Sequence, residues 1–283
     1  MIVVTGATGQ LGGMVVDHLL QHVPAEDVAI AVRNPEAATA LAGRGVEVRH
    51  GDADEPETLQ RAFDGADRLL LVSLPRLGDD LVRAHAASID AARRAGVGRL
   101  LYTSHIGADV LSAFPPAVGH GRTEALLQDS GLPFTALRNG FYADTPVRWA
   151  QQAAASGELR LPADGPVSWT TREDQAAAIA ALLLDGGIDR PVVNLTAAEA
   201  LDAAALADVV SSITGTPVRR IVESDEEHRR RLIGAGVPES GAEMALAIVV
   251  ASRQRRFSIV DPELERLVGR PATPMRDLVA AAL

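Results

Sequence analysis

The sequence predicts an α/β fold: a doubly wound parallel sheet followed by a smaller, mostly helical C-terminal region. Three observations predict it. Short, unbroken apolar runs alternate with segments of helical period from the first residues onward. Strands covered on both faces read as continuous apolar runs, and repeated strand–helix units give a parallel sheet with helices on both sides. After about residue 145 this rhythm loosens and helical segments dominate.

The elements follow in order. "IVVTG" is the first strand, and Leu11 to His22 a helix. "DVAIAVR" is the second strand, with "PEAATALAGRG" a helix closed by glycine. "VEVRHGD" is the third strand. "PETLQRAFDG" is a short helix opening on Pro56, where a missing N–H costs nothing. "RLLLVSL" is strand four. "DLVRAHAASIDAARRAG" is a long amphipathic helix with Leu81, Val82, His85, Ile89 and Ala92 on one side, ending at Gly96. "RLLYTS" is strand five, "TEALLQDSG" a helix and "FTALRNG" strand six. Further on, "VRWAQQAAASG" and "TREDQAAAIAALLLDG" read as helices and "VVNLT" as a strand. "DAAALADVVSSITG" is another helix with "VRRIVE" after it, and the chain from Asp225 is mostly helical and charged.

Composition narrows the function. The chain has 283 residues, 47% apolar and 23% charged, as a packed globular protein does. A net charge of −10 repels nucleic acid and anionic membranes, and 3% aromatics leaves few stacking platforms. Runs such as "AAAIAALLLD" are too short to span a bilayer, and a first strand at residue 2 leaves no room for a signal peptide. The expectation is a soluble cytoplasmic protein with no nucleic-acid or membrane partner; a homodimer is left open. Cysteine is absent, which excludes thiolate chemistry and sulfur-ligated metals. Lysine is absent too, so all 27 Lys+Arg residues are arginine.

Gly6, Gly9 and Gly12 are spaced G-x-x-G-x-x-G between the first strand and its helix. The first lets the chain turn, the second lets backbone N–H groups approach a pyrophosphate, and the third packs helix on sheet. Thr8, Gln10 and Leu11 complete this phosphate turn, which makes the fold a Rossmann fold binding a dinucleotide. Strand two ends in Arg33 and Asn34, where an NAD site usually has an acid for the ribose hydroxyls. A guanidinium suits a 2′-phosphate, so NADP(H) is the expected cofactor; the alternative is a surface arginine. Asp52 and Ala53 after strand three are expected to flank adenine, and Ser73 and Leu74 after strand four to border the nicotinamide ribose. Thr103, Ser104 and Asn139, at the ends of strands five and six, complete the cofactor set. Asp52-x-Asp54 reads otherwise as a loop cap, because a calcium loop needs glycine where Glu57 stands. Residues 1–145 then form the NADP(H)-binding domain, with part of 167–200 returning to it. Residues 146–283 form the substrate and lid region, its tail packed over the C-terminal edge of the sheet.

"TGATGQLGG", "AVRNPE", "GDADEPETLQRAFDGADRLLLVS", "IDAARRAGVGRLLYTS", "HGRTEALLQDSGLPFTALRNGFY" and "VPES" together resemble the NmrA-like atypical short-chain dehydrogenase/reductases. Within them they resemble the type-2 NAD(P)H:quinone oxidoreductases and triphenylmethane dye reductases. The resemblance covers nearly the whole chain and is strongest over 1–142. It implies a Rossmann domain, a small substrate domain, NADPH binding and a pocket between the two domains over the nicotinamide. The wider superfamily protonates its product with Tyr-x-x-x-Lys. This chain departs from that: Tyr102 and Tyr142 are followed four on by Ile106 and Pro146. Where several relatives carry a lysine four residues before a glutamate, "HGRTE" carries His120 before Glu124, as the quinone- and dye-reductase branch does.

That loss selects the acceptor. Reducing a ketone makes an alkoxide whose conjugate acid resembles water, pKa about 15.7. Reducing a quinone makes a phenolate-like anion near 10, a difference of about 7–8 kcal/mol. A cationic triphenylmethane dye takes hydride without any proton. The substrate is therefore a small aromatic acceptor, quinone-like or cationic, and the protein works chiefly by holding it against the nicotinamide. His120 and Tyr142 are the candidate catalytic residues. His120 either orients the nicotinamide, bonds the developing oxyanion, or is a helix-N-terminal histidine satisfied locally. Phe141 and Tyr142 are expected at the pocket mouth, Phe141 stacking on the acceptor or packing in the core.

Other signals are weaker. His18 and His22 lie four apart but lack a third ligand, so no metal is expected. His85 reads as a core histidine and "HRRRL" as a solvated helix face. No G-x-S-x-G surrounds Ser73, Thr103 or Ser104, so none is a hydrolase nucleophile. Two classes remain: an NADPH-dependent reductase, or a non-catalytic NADP(H)-binding redox sensor acting through a protein partner.

Overall fold

The computed structural model describes residues 1–186 and 188–283. Strand β1 (Ile2–Thr5) leads into α1 (Gln10–Leu19), and β2 (Val28–Val32) into a 3₁₀ turn over Pro35–Ala38 and a single α turn, α2 (Thr39–Ala42). There follow β3 (Glu47–His50), α3 (Pro56–Phe63), β4 (Arg68–Leu71), α4 (Gly78–Arg94), β5 (Arg99–His105), α5 (Pro115–Asp129) and β6 (Phe134–Asn139). The rest comprises β7 (Phe141–Tyr142), α6 (Asp144–Ser156), β8 (Glu158–Leu161), β9 (Trp169–Thr170), α7 (Arg172–Asp185) and β10 (Val192–Leu195). Then come α8 (Ala203–Thr214), β11 (Arg219–Val222), α9 (Asp225–Gly234), α10 (Glu239–Ser252), α11 (Glu263–Val268) and α12 (Met275–Ala282).

Seven strands form one parallel sheet in the order β10-β6-β5-β4-β1-β2-β3. All five residues of β2 are buried, as a continuous apolar run requires, whereas the edge strand β3 is exposed at both ends. One face is sealed by α1 and α7 through Val15, Leu19, Ile30, Leu137, Ile179 and Leu183. The other is sealed through Phe63, Leu69, Ile89, Leu100, Tyr102 and Leu127. Strand β1 lies between β2 and β4, so the connections leave it and its neighbour in opposite directions. A crevice opens above such a switch point, at the C-terminal ends of the strands.

Three sequence expectations change. "PEAATALAGRG" is not one helix but a 3₁₀ turn and one α turn, cut short at Gly43 and Gly45. The helix before β6 begins at Pro115 rather than near Thr123. A proline at N1 opens it, and glycines inside it disguise it: an added Cβ on Gly119 would stand 2.8 Å from Leu81. His120 is therefore mid-helix, not at a helix N-terminus. The tail also divides. Phe257, before α11, is buried beside Phe114 and Phe141 near the end of β5, but Leu264 and Ala272 are buried in the core between α1 and α7. Only part of the tail covers the sheet edge. The remaining apolar core gathers Trp169, Leu206, Phe257 and Val279 around α6, α8 and α12. No described helix is long and apolar enough to cross a membrane.

Candidate active site

The phosphate turn is made of backbone. Gly6 has φ +64°, a conformation that side chains oppose, and its carbonyl accepts the Gly9 N–H at 3.0 Å. A Cβ on Gly12 would lie 2.3 Å from that same carbonyl oxygen, so nothing larger than glycine fits. Gly9 begins α1 with no side-chain cap, and no acid lies in the first turn. The first N–H groups of α1 thus face outward with the positive end of the helix behind them, ready for an anion. Thr8, Gly9 and Gln10 are exposed there, while Leu11 is buried in the core and reaches the site only through its backbone.

The neighbouring strand ends border the glycine turn on its β2 and β3 side. Arg33 and Asn34 are exposed after β2. Arg33 has no ion-pair partner among the described residues. Asn34 Oδ1 accepts the Glu36 N–H at 3.1 Å, and Asp52 Oδ1 accepts the Asp54 N–H at 3.0 Å. Both side chains therefore serve as loop caps. Ala53, half-buried, stands beside them. Arg76 grips Asp54 with two bonds of 2.7 and 2.6 Å, tying the loop after β4 to the loop after β3 and holding the Asp54 carboxyl below its usual range. Ser73 and Leu74, half-buried after β4, are tied by their backbones: Ser73 N–H to Thr103 Oγ1 at 2.8 Å, Leu74 N–H to His85 Nε2 at 3.3 Å. Ser104 is buried, and its hydroxyl donates to Glu124, which also holds Arg138. Glu124 thus belongs to an ion pair with Arg138 that the Ser104 hydroxyl supports, and Glu124 does not back His120.

Past β4 a buried chain of side chains lies beneath the crevice, and its bonds assign their hydrogens. Thr123 Oγ1 donates to Gly119 O at 2.9 Å, so it accepts from His85 Nδ1–H at 2.9 Å, and His85 Nε2 is the bare acceptor of the Leu74 N–H. His85 is fully buried and neutral, its pKa pushed down to about 4 by burial and the charge of Arg76. Burial raises the pKa of the Tyr102 phenol, which keeps its hydrogen. His120 Nδ1 is the nearest acceptor, at 2.7 Å; His85 Nδ1, at 3.5 Å, is already a donor. Tyr102 therefore donates to His120 Nδ1, and His120 carries its own hydrogen on Nε2. Burial, with the neighbouring histidines, holds the His120 pKa well below the ordinary value.

His105 ends β5 directly opposite Asn139 of β6, and its ring meets that of His120 edge-on at 4.7 Å. Its Nδ1 donates to the Ile106 carbonyl, and burial lowers its pKa to about 4, so Nε2 is a bare lone pair. That nitrogen is buried without a partner, as are Asn139 Oδ1 and Gln175 Oε1. Gln175 is fixed by its Nε2–H on the Gly140 carbonyl at 2.7 Å. Three orphan acceptors thus cluster where β5 and β6 end. Buried polar groups are nearly always paired, so this cluster fits a ligand that brings N–H or O–H donors, as a nicotinamide carboxamide does. With the Gly12 turn and the uncapped helix, the residues present fit a dinucleotide along the whole crevice.

Phe141 joins Phe257 (4.7 Å between ring centres), His105 (5.3 Å) and Phe114 (5.7 Å) in an aromatic wall beside these acceptors. It remains half-buried, so one part packs and another is open to the site. Tyr142 lies under the Arg172 guanidinium, 3.7 Å above its ring, and burial raises its pKa. Sequence reasoning missed Tyr102, His105 and Gln175 as site residues. The one signal for His105 was its position as the polar residue ending a strand that points into the crevice. Among the described residues no cluster suited to a metal is present, and His18 pairs with Glu173 at 2.9 Å rather than with His22.

A protein-family model described as NAD(P)H-binding matches residues 6–186. The triphenylmethane reductase of a Citrobacter species, solved with NADP(H), is 39% identical, with 100% of both chains covered and a TM-score of 0.92. Quinone oxidoreductase 2 of Escherichia coli strain K12 is 34% identical over 281 residues, 99% of this chain and 98% of that one. An NmrA-like family domain-containing oxidoreductase of Aspergillus flavus is 31% identical, over 99% of this chain and 94% of its own.

Proposed function

The chain belongs to the NAD(P)H-binding, NmrA-like family of reductases and is an NAD(P)H-dependent oxidoreductase, and from that premise we propose that its acceptors are quinone-like or cationic aromatic molecules reduced without a dedicated acid. The cofactor is NADP(H). Bound NADPH supplies the hydride. The turn of Gly6, Gly9 and Gly12 holds its pyrophosphate, Arg33 its 2′-phosphate, and Asn139 and His105 its carboxamide. Phe141 and Tyr142 hold the flat acceptor against it.

One observation carries the reading: among the described residues, no histidine or tyrosine at the β5–β6 end or packed beneath it is a ready proton donor. Burial pushes His85 and His105 down to about 4, holds His120 well below the ordinary histidine value, and raises both tyrosines. A proton passed from Tyr102 through His120 to a phenolate-like product would run uphill, because the buried phenol holds it more tightly than a product near 10 does. His120 Nε2–H therefore stabilises a developing oxyanion as a hydrogen-bond donor, and water protonates the product. An alkoxide from a simple ketone would lie far beyond such help.

The test follows NADPH absorbance with menadione, malachite green and cyclohexanone. Turnover is expected with the first two and not the third. Arg33→Ala should raise KM for NADPH about tenfold and leave KM for NADH unchanged. Tight NADPH binding with no turnover of any acceptor would instead establish a redox sensor.

A further inference from the structure

A second cavity lies in the C-terminal region, enclosed by α6, β8, α9 and α10, with a volume of about 390 Å³. It shares no lining residue with the strand-end crevice. Trp149, Leu161, Met244 and Ile248 give it an apolar wall, and Arg148 and Arg231 stand on its rim. No carboxylate lines it among the described residues.

The rim is built rather than loose. Arg231 is anchored by Nη2 on Glu223 Oε1 at 2.7 Å and on the Arg160 carbonyl at 3.2 Å, and by Nε on Glu223 at 3.1 Å. This leaves Nη1 with no partner among the described residues. Glu223 is buried, which opposes its ionisation. The bonds from Arg231 and His228 outweigh that and keep it a carboxylate. His228, itself buried, lines the cavity and donates Nδ1–H to Glu223 at 2.7 Å. Among the described residues Arg148 has only the Thr145 hydroxyl, at 3.5 Å.

We propose that this cavity is a separate binding site for a small aromatic carboxylate or sulfonate. The volume stands at the small end of the range for ligand sites, enough for a compact ring system. A flat apolar body fits against Trp149 and Met244. A single anionic group meets the spare edge of Arg231 and the guanidinium of Arg148, an arrangement arginine favours for carboxylates. The site goes beyond the reductase reading and is tested by binding, so its failure is distinct from a failure of turnover.

The probe is 1-naphthoate, which no hydride transfer consumes, titrated by calorimetry in the NADPH-saturated enzyme. One site is expected, with the uncharged 1-naphthamide at least tenfold weaker. Arg148→Gln and Arg231→Gln should each weaken naphthoate about tenfold, and Met244→Trp, which fills the cavity, should abolish binding. Menadione turnover should be unchanged in all three. If Arg231→Gln fails to fold, because Glu223 loses its partner, the other two variants decide. Equal affinity for naphthoate and naphthamide, indifference to Arg148→Gln and Met244→Trp, or competition between naphthoate and menadione would each overturn the proposal.

Discussion

Above β1 the crevice offers a ligand backbone N–H groups and the bare faces of Gly6, Gly9 and Gly12; above β5 and β6 it offers His105, His120, Asn139 and the aromatic wall of Phe114, Phe141 and Phe257. The first end is specified within seven consecutive residues. The second is assembled from β5, α5, β6, α7 and the tail, each positioned by packing elsewhere. The two ends should therefore fail differently. A backbone site has no slack, so one methyl group closes it. A side-chain network loses one bond at a time and degrades in steps.

The largest effect expected is at Gly12. In Gly12→Ala the new Cβ would stand 2.3 Å from the Gly6 carbonyl oxygen and 2.7 Å from its carbon, backbone atoms that cannot turn aside. Either α1 or the turn must shift, and the dissociation constant for NADPH should rise by more than about a hundredfold, near 3 kcal/mol. In Gly9→Ala the corresponding approach within the protein is 3.2 Å, which a shift of a few tenths of an ångström relieves, so the turn should keep its shape and the loss of affinity should come from the methyl group standing where the pyrophosphate approaches. Fluorescence titration of NADPH measures both. An NADPH affinity in Gly12→Ala close to that of the unaltered protein would contradict the claim that close approach, rather than loop flexibility, sets the glycine spacing.

That contrast also explains what could be read before the structure. The glycine turn, the uninterrupted strands and Arg33 were legible because each is encoded by neighbours in sequence. The start of α5 was not: Gly119 and Gly121 look like helix breakers, and only contact with Leu81 and with the Asp109–Val110 backbone shows why small residues belong there. Tyr102 reads in sequence only as a tyrosine without a lysine four residues on, and His85 as a core histidine, which it is. Nothing local shows that they are joined through Thr123 and His120, because the network closes only when α4 and α5 pack on the same face of the sheet.

A smaller, graded effect is expected at Tyr102. Tyr102→Phe keeps the ring in the core and removes the hydrogen given to His120 Nδ1. The imidazole is then free to carry its hydrogen on either nitrogen, and the donor aimed at the acceptor is lost part of the time. We expect kcat with menadione to fall about ten- to thirtyfold, less than the roughly 10²–10³-fold cost of removing an oxyanion donor outright because the donor is lost only part of the time, while NADPH affinity stays within twofold. Nitrogen NMR of His120 should change from a single Nε2–H tautomer to a mixture. A fall in kcat with the tautomer unchanged would reduce Tyr102 to a packing residue.

The smallest effect expected is on rate against pH. Burial lowers His85 and His105 to about 4, holds His120 well below 6.5, and raises Tyr102 and Tyr142. None of these five groups then changes charge between about pH 5.5 and 9, and kcat with a saturating quinone should vary by less than about twofold across that span. Stability behaves otherwise. The unfolded chain binds protons on these histidines below about 6.5, while the native protein resists them until about 4, so stability falls as pH falls through that window. For His85, fully buried, the loss approaches about 3 kcal/mol. Activity lost below pH 5 should therefore track unfolding measured on the same samples. A bell-shaped kcat profile centred near neutrality, in protein that circular dichroism shows folded, would mean that an acid does operate at the β5–β6 end, and the hydrogen-bond-only role given to His120 would be wrong.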